Sequence, residues 1–194
     1  MNPHGISGEA TYKITRSFWS FLDRTFRVYD TAGSLVLFVR HPVLRLREAF
    51  NLFADEEMRQ PVATVQARQM IAIDYVYDVT DPSSGTWLGT LKSRGISSIV
   101  RDTWDVLREH GEPIGKVTED GHSILRRFFP WLTGHWHVEL DGRTVATIDQ
   151  RFRFFIKEYA LTIHAAGTGV DPRFLMACAL LALLREDHRE ERER

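Results

Sequence analysis

Two arginine-containing segments carry the side chains best suited to bind an anionic group. One runs from Lys92 through Arg94 to Arg101, and the other holds the adjacent pair Arg126 and Arg127. Guanidinium groups pair with phosphate oxygens through two parallel hydrogen bonds, and an ammonium group adds a point charge. These five residues are therefore candidates for contact with a lipid headgroup. The alternative is that they are solvated residues in hairpin connections.

Aromatic residues follow the second arginine pair, at Phe128, Phe129 and Trp131. Arginine and aromatic side chains together favour a membrane–water interface. The segment therefore either dips into such an interface or forms a short helix or loop that caps one mouth of the fold. A further basic stripe, residues 40–47, alternates with apolar residues and is expected to cover an outer surface.

Histidines and aspartates form two short patterns that suggest metal ligands. His135 and His137 put two imidazoles on one strand face, and Asp74, Asp78 and Asp81 lie within eight residues. No carboxylate or third histidine is visibly placed to complete the histidine pair, although His122 is not far along the chain, and the aspartate spacing follows no EF-hand pattern. We therefore expect no metal site and no cofactor.

Cys178 is the single cysteine of the chain and lies within an apolar segment. Burial should raise its pKa and hide it, so we expect an inert thiol and neither a disulfide nor a cysteine-based zinc site. The sequence also shows no glycine-rich phosphate loop, no nucleophile elbow and no recognisable set of nucleophile, base and orienting group. We therefore expect a protein that is not an enzyme.

A hairpin repeat must position all these residues. The pattern glycine–x–x–apolar–small–x–apolar begins at residues 85, 111 and 142, a copy without the first glycine begins at residue 59, and the earliest copy, at residue 33, has Leu37 in the small position. An aromatic–x–Val/Leu stretch precedes each copy, and turn residues such as Asp141 and Gly142 lie between the two. Period-two alternation indicates strands, and Asp-Gly favours a tight hairpin. Five hairpins predict ten strands, and residues 12–14 and 159–163 predict two more.

An apolar run over residues 174–184 distinguishes a sandwich from a closed barrel. Asp171 and Pro172 suit the N-cap and first position of a helix, and the run that follows has no polar face. The lumen of a barrel of about twelve strands is too wide for its wall side chains to fill. We therefore predict a mainly β fold, a closed antiparallel barrel of about twelve strands that encloses a buried helix over about 172–186. The expected core residues of that helix are Phe174, Leu175, Leu180, Leu181 and Leu184.

The composition fits one globular domain, expected over residues 12–186 of the 194-residue chain, with flexible segments at 1–11 and 187–194. A net charge of -1 argues against nucleic-acid binding. The apolar run would span roughly 16 Å as a helix, too short for a bilayer core of about 30 Å, so no transmembrane segment is expected. Without a visible signal peptide, we expect a cytoplasmic protein that could also associate peripherally with a membrane.

These motifs together resemble the Tubby C-terminal-like superfamily, which includes phospholipid scramblases, plant LURP-one-related proteins and many bacterial proteins. The features concerned are the Trp104-Asp-Val-Leu hairpin with its Gly-x-x-Ile-Gly-x-Val return strand, and the terminal Asp-x-x-apolar helix. Residues 88–104 are most similar to the bacterial branch. The resemblance covers about residues 12–186 and implies a closed twelve-stranded barrel around a C-terminal helix.

The resemblance implies a non-enzymatic module that binds an anionic phospholipid headgroup or a protein partner. Two alternatives stay open: scramblase-like transfer of lipids across a membrane, and a small-ligand or hydrolase-like pocket at a barrel mouth. The cysteine cluster of the scramblases has no counterpart here. Residues 164–171 carry one carboxylate, whereas a calcium site usually takes several.

Overall fold

In a computed structural model, the described residues are 6–17, 23–42, 49–71, 74–93, 103–120, 133–151, 153 and 156–192. Within them, twelve strands follow one another around a closed barrel, each antiparallel to both neighbours, and β1 pairs with β12 to close the wall. The strands are β1 (Glu9–Ser17), β2 (Asp23–Tyr29), β3 (Leu35–Pro42), β4 (Phe50–Phe53), β5 (Pro61–Ile71), β6 (Asp74–Thr80), β7 (Trp87–Ser93), β8 (Thr103–Leu107), β9 (Pro113–Glu119), β10 (His135–Leu140), β11 (Arg143–Arg151) and β12 (Ile156–His164).

The sequence repeat corresponds to the five hairpins from β2–β3 to β10–β11. Its first glycine lies in the turn, where Gly142, for example, has a φ of 75°. In the copy that lacks this glycine, Met58 adopts a φ of 59° instead. A β-bulge follows the Val or Leu of each aromatic–x–Val/Leu stretch. Bulges increase the local bend and twist of a strand, so a bulge repeated in every hairpin helps the sheet to curl and close.

The C-terminal helix α1 (Pro172–Arg192) runs through the barrel. All residues over 174–184 are buried, and none is more than 3% exposed. The small residue of the repeat gives the helix room, because a Cβ at Gly89 would overlap the ring of Phe174. The predicted fold class is therefore confirmed, although the helix continues to Arg192, past the expected end at residue 186.

The two ends of the barrel differ in how the strands are joined. At one end, here called the turn end, lie the short turns at 30–34, 54–60, 81–86, 108–112, 141–142 and 165–171, together with the start of α1. At the other end, here called the far end, strands such as β7, β9 and β11 finish, and α1 reaches the buried residue Glu186. Among the described helical residues, no stretch is both long enough and apolar enough to cross a bilayer.

Candidate functional site

A charged clasp fixes the start of α1 at the turn end. Arg173 donates from Nη1 to Asp81 Oδ2 at 2.6 Å and to the carbonyl oxygen of Val62 at 3.2 Å. Its Nη2 donates to Asp171 Oδ2 at 2.7 Å, and its backbone N–H donates to Asp171 Oδ1 at 2.9 Å. Asp171 therefore acts as the predicted N-cap, and one guanidinium ties the helix to β5 and to the β6–β7 turn.

The clasp is electrostatically strong because its three charged groups satisfy one another. Hydrogen bonds from the Ser83 side chain, from Arg173 and from the Ser83 backbone hold the pKa of Asp81 well below its usual range. The hydrogen bonds that Arg173 donates to Asp171, the larger cause, and to Asp81 raise the pKa of Arg173 further above its ordinary value. Asp81 is thus a structural partner of the helix.

The turn end as a whole carries excess negative charge. Its six turns contain nine acidic residues and two arginines, Arg59 and Arg108. Some of these acids are paired, as in the two hydrogen bonds that Arg27 donates to Glu56 at 2.8 and 3.0 Å. An acidic surface of this kind is repelled by other anionic surfaces.

The far end has charged residues inside the barrel, whereas most of the other buried residues that the structure describes are apolar. Arg24 is fully buried, Glu119 and Glu186 are 1% exposed, and Lys157 is 9% exposed. Arg24 Nη1 donates to the backbone carbonyl of Leu184 on α1 at 3.2 Å. Because buried charges are costly unless they are paired, a charged layer inside a barrel is a candidate functional feature.

The strand register places three of the cations side by side on the inner wall. Lys157 on β12 lies directly opposite Arg16 on β1, and Arg16 lies opposite the buried Phe26 on β2. Arg24 is two residues from Phe26 on the same strand and shares its inward face. Residues Arg16, Arg24 and Lys157, here called the inner cations, therefore follow one another across β12, β1 and β2.

Aromatic rings line the far-end interior on the other side of the helix. The Arg185 guanidinium lies 5.1 Å from the centre of the Trp104 ring, which in turn is 5.8 Å from the Tyr77 ring. Burial, helped by Tyr75 and opposed by Arg185, raises the pKa of Tyr77 to about 12. This charged interior lies outside every motif considered in the sequence. Its signal was the alternation itself, since Arg24 and Lys157 occupy inward positions of their strands.

Of the five predicted headgroup residues, the structure describes Lys92. Lys92 lies on the outer face of β7, in register with Asp105 on β8. Arg94, Arg101, Arg126 and Arg127 lie outside the described residues. The strand residues that flank both basic segments nevertheless lie together at the far end, because β7, β8, β9 and β10 are consecutive neighbours in the wall.

The histidines of β10 each face a carboxylate on the outer wall. His135 Nδ1 lies 2.7 Å from Asp149 Oδ1, and His137 Nδ1 lies 3.0 Å from Asp120 Oδ1. Thr133 Oγ1 is 3.5 Å from His135 Nε2, in the order of a nucleophile, a base and an orienting group. The His135 and Asp149 side chains are 46% and 48% exposed, so bulk water rather than preorganised donors would surround a reacting carbonyl. The geometry favours surface hydrogen bonds between histidine and carboxylate side chains.

The other residues considered as metal ligands or as a reactive thiol take part in hydrogen bonds or packing within the fold. Among the described residues, no three histidine, cysteine, aspartate or glutamate side chains are grouped to hold a metal ion. Asp78 accepts two hydrogen bonds from Arg68 and one from Thr90. Cys178 is fully enclosed in α1, and burial raises the pKa of its thiol.

Of the basic stripe over 40–47, Arg40 is exposed on β3, and residues 43–47 lie outside the described residues.

The family model described as LURP-one-related matches residues 10–182, which is most of the chain and nearly all of the barrel. The chain belongs to the LURP-one-related family. An X-ray structure of a protein from Arabidopsis thaliana is similar in fold to this LURP-one-related barrel, with a TM-score of 0.52 and 15% identity over 94% of this chain and 97% of that one. No curated protein matches the chain in sequence.

Proposed function

We propose that this LURP-one-related protein is a non-enzymatic binding module that attaches to anionic phospholipid headgroups with its far end. The supporting observation is the contrast in charge along the barrel axis. The strands that flank both basic segments meet at the far end, whereas nine acidic residues lie in the turns of the opposite end. An anionic bilayer would attract one end and repel the other, so that the barrel stands end-on at the surface.

The proposed headgroup contacts are Lys92, Arg94, Arg101, Arg126 and Arg127. Basic residues near an anionic leaflet each contribute about 1 kcal/mol of attraction. The aromatic residues that follow Arg127 would add interfacial contacts of the kind that Trp and Phe make at the headgroup level.

The described rim of the far end has a composition that suits the same role. Ile156 is 47% exposed at the start of β12. The Arg151 and Arg153 side chains on the neighbouring chain segment are 60% and 61% exposed, and both share Glu158 at 3.6 Å. An exposed apolar side chain beside exposed arginines is typical of surfaces that lie at a membrane interface.

Sedimentation with phosphatidylcholine vesicles, with and without phosphatidylserine, tests this function. We expect binding only to the anionic vesicles, and the double change Arg126→Gln and Arg127→Gln should weaken it by about tenfold or more. The matched control removes two arginines from the turn end, Arg59→Gln and Arg108→Gln, and should leave binding unchanged.

Equal, negligible binding to both kinds of vesicle would contradict the proposal. Binding to a protein partner would then be the remaining hypothesis for a binding module. Lipid transfer is a separate outcome of the same protein preparation. Movement of a labelled lipid between leaflets of proteoliposomes, with or without calcium, would show a scramblase-like activity in place of a binding module.

A further inference from the structure

We propose that two histidine–carboxylate pairs at the far end, His135 with Asp149 and His137 with Asp120, strengthen attachment to anionic membranes as the pH falls below neutral. The inference rests on the proposed function, because it concerns the charge of the end that would face the bilayer. It adds to that function a condition under which binding is strong.

The two pairs lie at the edge of the wall from which the second basic segment continues. Residues 121–132, which contain that segment, connect β9 to β10, so Asp120 directly precedes them. The backbone N–H of Asp120 donates to the carbonyl oxygen of His135 at 2.8 Å, and that of Gln150 donates to the carbonyl oxygen of Gly134 at 2.9 Å. These bonds hold the ends of β9, β10 and β11 beside one another, and they hold both pairs at this edge.

A second proton on each imidazole would change the charge of its pair without breaking the contact. His135 Nδ1 lies 2.7 Å from Asp149 Oδ1, and His137 Nδ1 lies 3.0 Å from Asp120 Oδ1. A carboxylate only accepts hydrogen bonds, so the neutral ring donates from Nδ1 and takes its further proton on Nε2. Histidines in general change charge between about pH 5 and 8. Each pair then passes from one negative charge to none, and the charge of this surface rises by two.

The other charges around the pairs belong to residue types that do not titrate near neutral pH. Among the described residues, those next to the pairs on the outer face of the same three strands are Lys116 on β9, Glu139 on β10 and Arg151 on β11. Lys116 lies 3.3 Å from Glu139, and Arg151 lies 3.6 Å from Glu158. Lysine, arginine and glutamate side chains ordinarily keep their charge from about pH 5.5 to 7.5.

The pairs are also open to solvent. Their four side chains are between 27% and 57% exposed, so the imidazoles exchange protons with water and the pairs experience the charge of a nearby bilayer.

The turn end carries a pair of the same kind, which provides an internal control. His164 Nδ1 lies 3.1 Å from Glu9 Oε1, and the two side chains are 50% and 60% exposed. This pair gains the same charge in acid, but on the end that the proposed function places away from the bilayer. A uniform effect of net charge would involve all three pairs, whereas a local effect requires the two at the far end.

Sedimentation of the full chain with vesicles of phosphatidylcholine and phosphatidylglycerol tests the inference at pH 7.5 and 5.5 and constant ionic strength. Phosphatidylglycerol is chosen because its phosphodiester keeps its charge over this range. One charge beside an anionic leaflet changes the affinity by about fivefold, so two charges gained in large part should tighten binding at pH 5.5 by about tenfold. The double variant His135→Gln and His137→Gln should lose this response, and His164→Gln should keep it.

A second double variant mimics the acidic state at neutral pH. Asp120→Asn with Asp149→Asn removes two negative charges and should tighten binding at pH 7.5 by about tenfold, whereas Glu9→Gln at the turn end should leave binding unchanged. This measurement decides the question if the histidine double variant does not fold.

Equal affinity at both pH values would overturn the inference, and so would a pH response that the histidine double variant retains. In either case the binding itself would still support the proposed function. Absence of binding to the anionic vesicles at both pH values would overturn the inference and the proposed function together.

Discussion

The two ends of this barrel share one wall and one helix but use charge in different ways. At the turn end, Arg173 is satisfied by Asp81 and Asp171 in a small, closed clasp, and the surrounding turns are acidic. At the far end, cations lie inside the wall, and the strands that flank the two basic segments of the sequence finish or begin there. The difference is that charged groups hold the helix in place at the turn end, whereas the far end is where we propose that the protein binds lipid headgroups.

The helix belongs to both ends, so breaking its centre should have the largest effect. Leu180→Glu would bury a charge where the described surroundings are apolar, and we expect a loss of more than about 4 kcal/mol, enough to prevent folding. Circular dichroism and chemical denaturation measure this. A variant that stayed folded and lost only membrane binding would show that the helix is not the core of the barrel.

Contact between the wall and the helix start is the next most sensitive feature of the turn end. Gly89→Ala should cost about 2–3 kcal/mol, because the new Cβ overlaps the Phe174 ring and the packed core cannot easily yield. Gly8→Ala is the control, since a Cβ there would lie 3.8 Å from its nearest atoms. Urea unfolding of both variants measures the difference in stability, and equal stabilities would contradict the close packing of Phe174 against Gly89.

The clasp itself should contribute about 2 kcal/mol, the usual value for hydrogen bonds to a charged group. Asp81→Asn keeps the shape and removes the charge that faces Arg173, whereas Asp141→Asn changes an exposed turn at the same end and should have little effect. Thermal denaturation near neutral pH compares the two. A stability of Asp81→Asn equal to that of the unchanged protein would mean that the clasp does not hold the helix.

The same clasp predicts a loss of stability in acid. The pKa of Asp81 is lower in the folded chain than in the unfolded chain, so its contribution is present above the ordinary value of about 3.9 and is lost as the pH falls below it. The gap in stability between the unchanged protein and Asp81→Asn should therefore narrow as the pH drops from 5 toward 3. A gap that stays constant over this range would contradict the assignment.

Ionisation of Tyr77, at the far end, should cause a smaller loss of folding stability at alkaline pH. Its pKa is raised to about 12, above the ordinary value of about 10, so its contribution is present below about pH 10 and is lost as the pH rises toward 12. Stability should fall by about 1 kcal/mol between pH 10 and pH 11, and Tyr77→Phe should remove that part of the fall. Absorbance of tyrosinate in the ultraviolet follows the ionisation directly.

The fold was predictable from the sequence because its signals are local and repeated. Each signal depends on residues that are close in the sequence, within one hairpin or one helical turn. The signals are the constant spacing of the turn glycines, the aromatic–x–Val/Leu stretches and the fully apolar helix. The clasp was only partly visible, since Asp171 was expected as an N-cap but Arg173 meets Asp81 across 92 residues of chain.

The charged interior of the far end depends on pairings that no single segment reveals. Lys157 faces Arg16 only because the last strand closes on the first, and that closure is a property of the whole sheet. The local signal for this charged interior is the alternation along β2 and β12, which puts Arg24 on the same face as Phe26 and Lys157 on the same face as Tyr159.

The end-on orientation is the central claim, and two matched labels test it directly. Ile156 and Met58 are the exposed large apolar residues of the described chain, at 47% and 39%, and they lie at opposite ends. Each is replaced by cysteine and labelled with an environment-sensitive fluorophore, while buried Cys178 stays unlabelled because its thiol is enclosed and its pKa is raised. With phosphatidylserine vesicles, the label at position 156 should shift to the blue and brighten, and the label at position 58 should not change. A response at position 58, or at neither position while the protein sediments with the vesicles, would contradict the account.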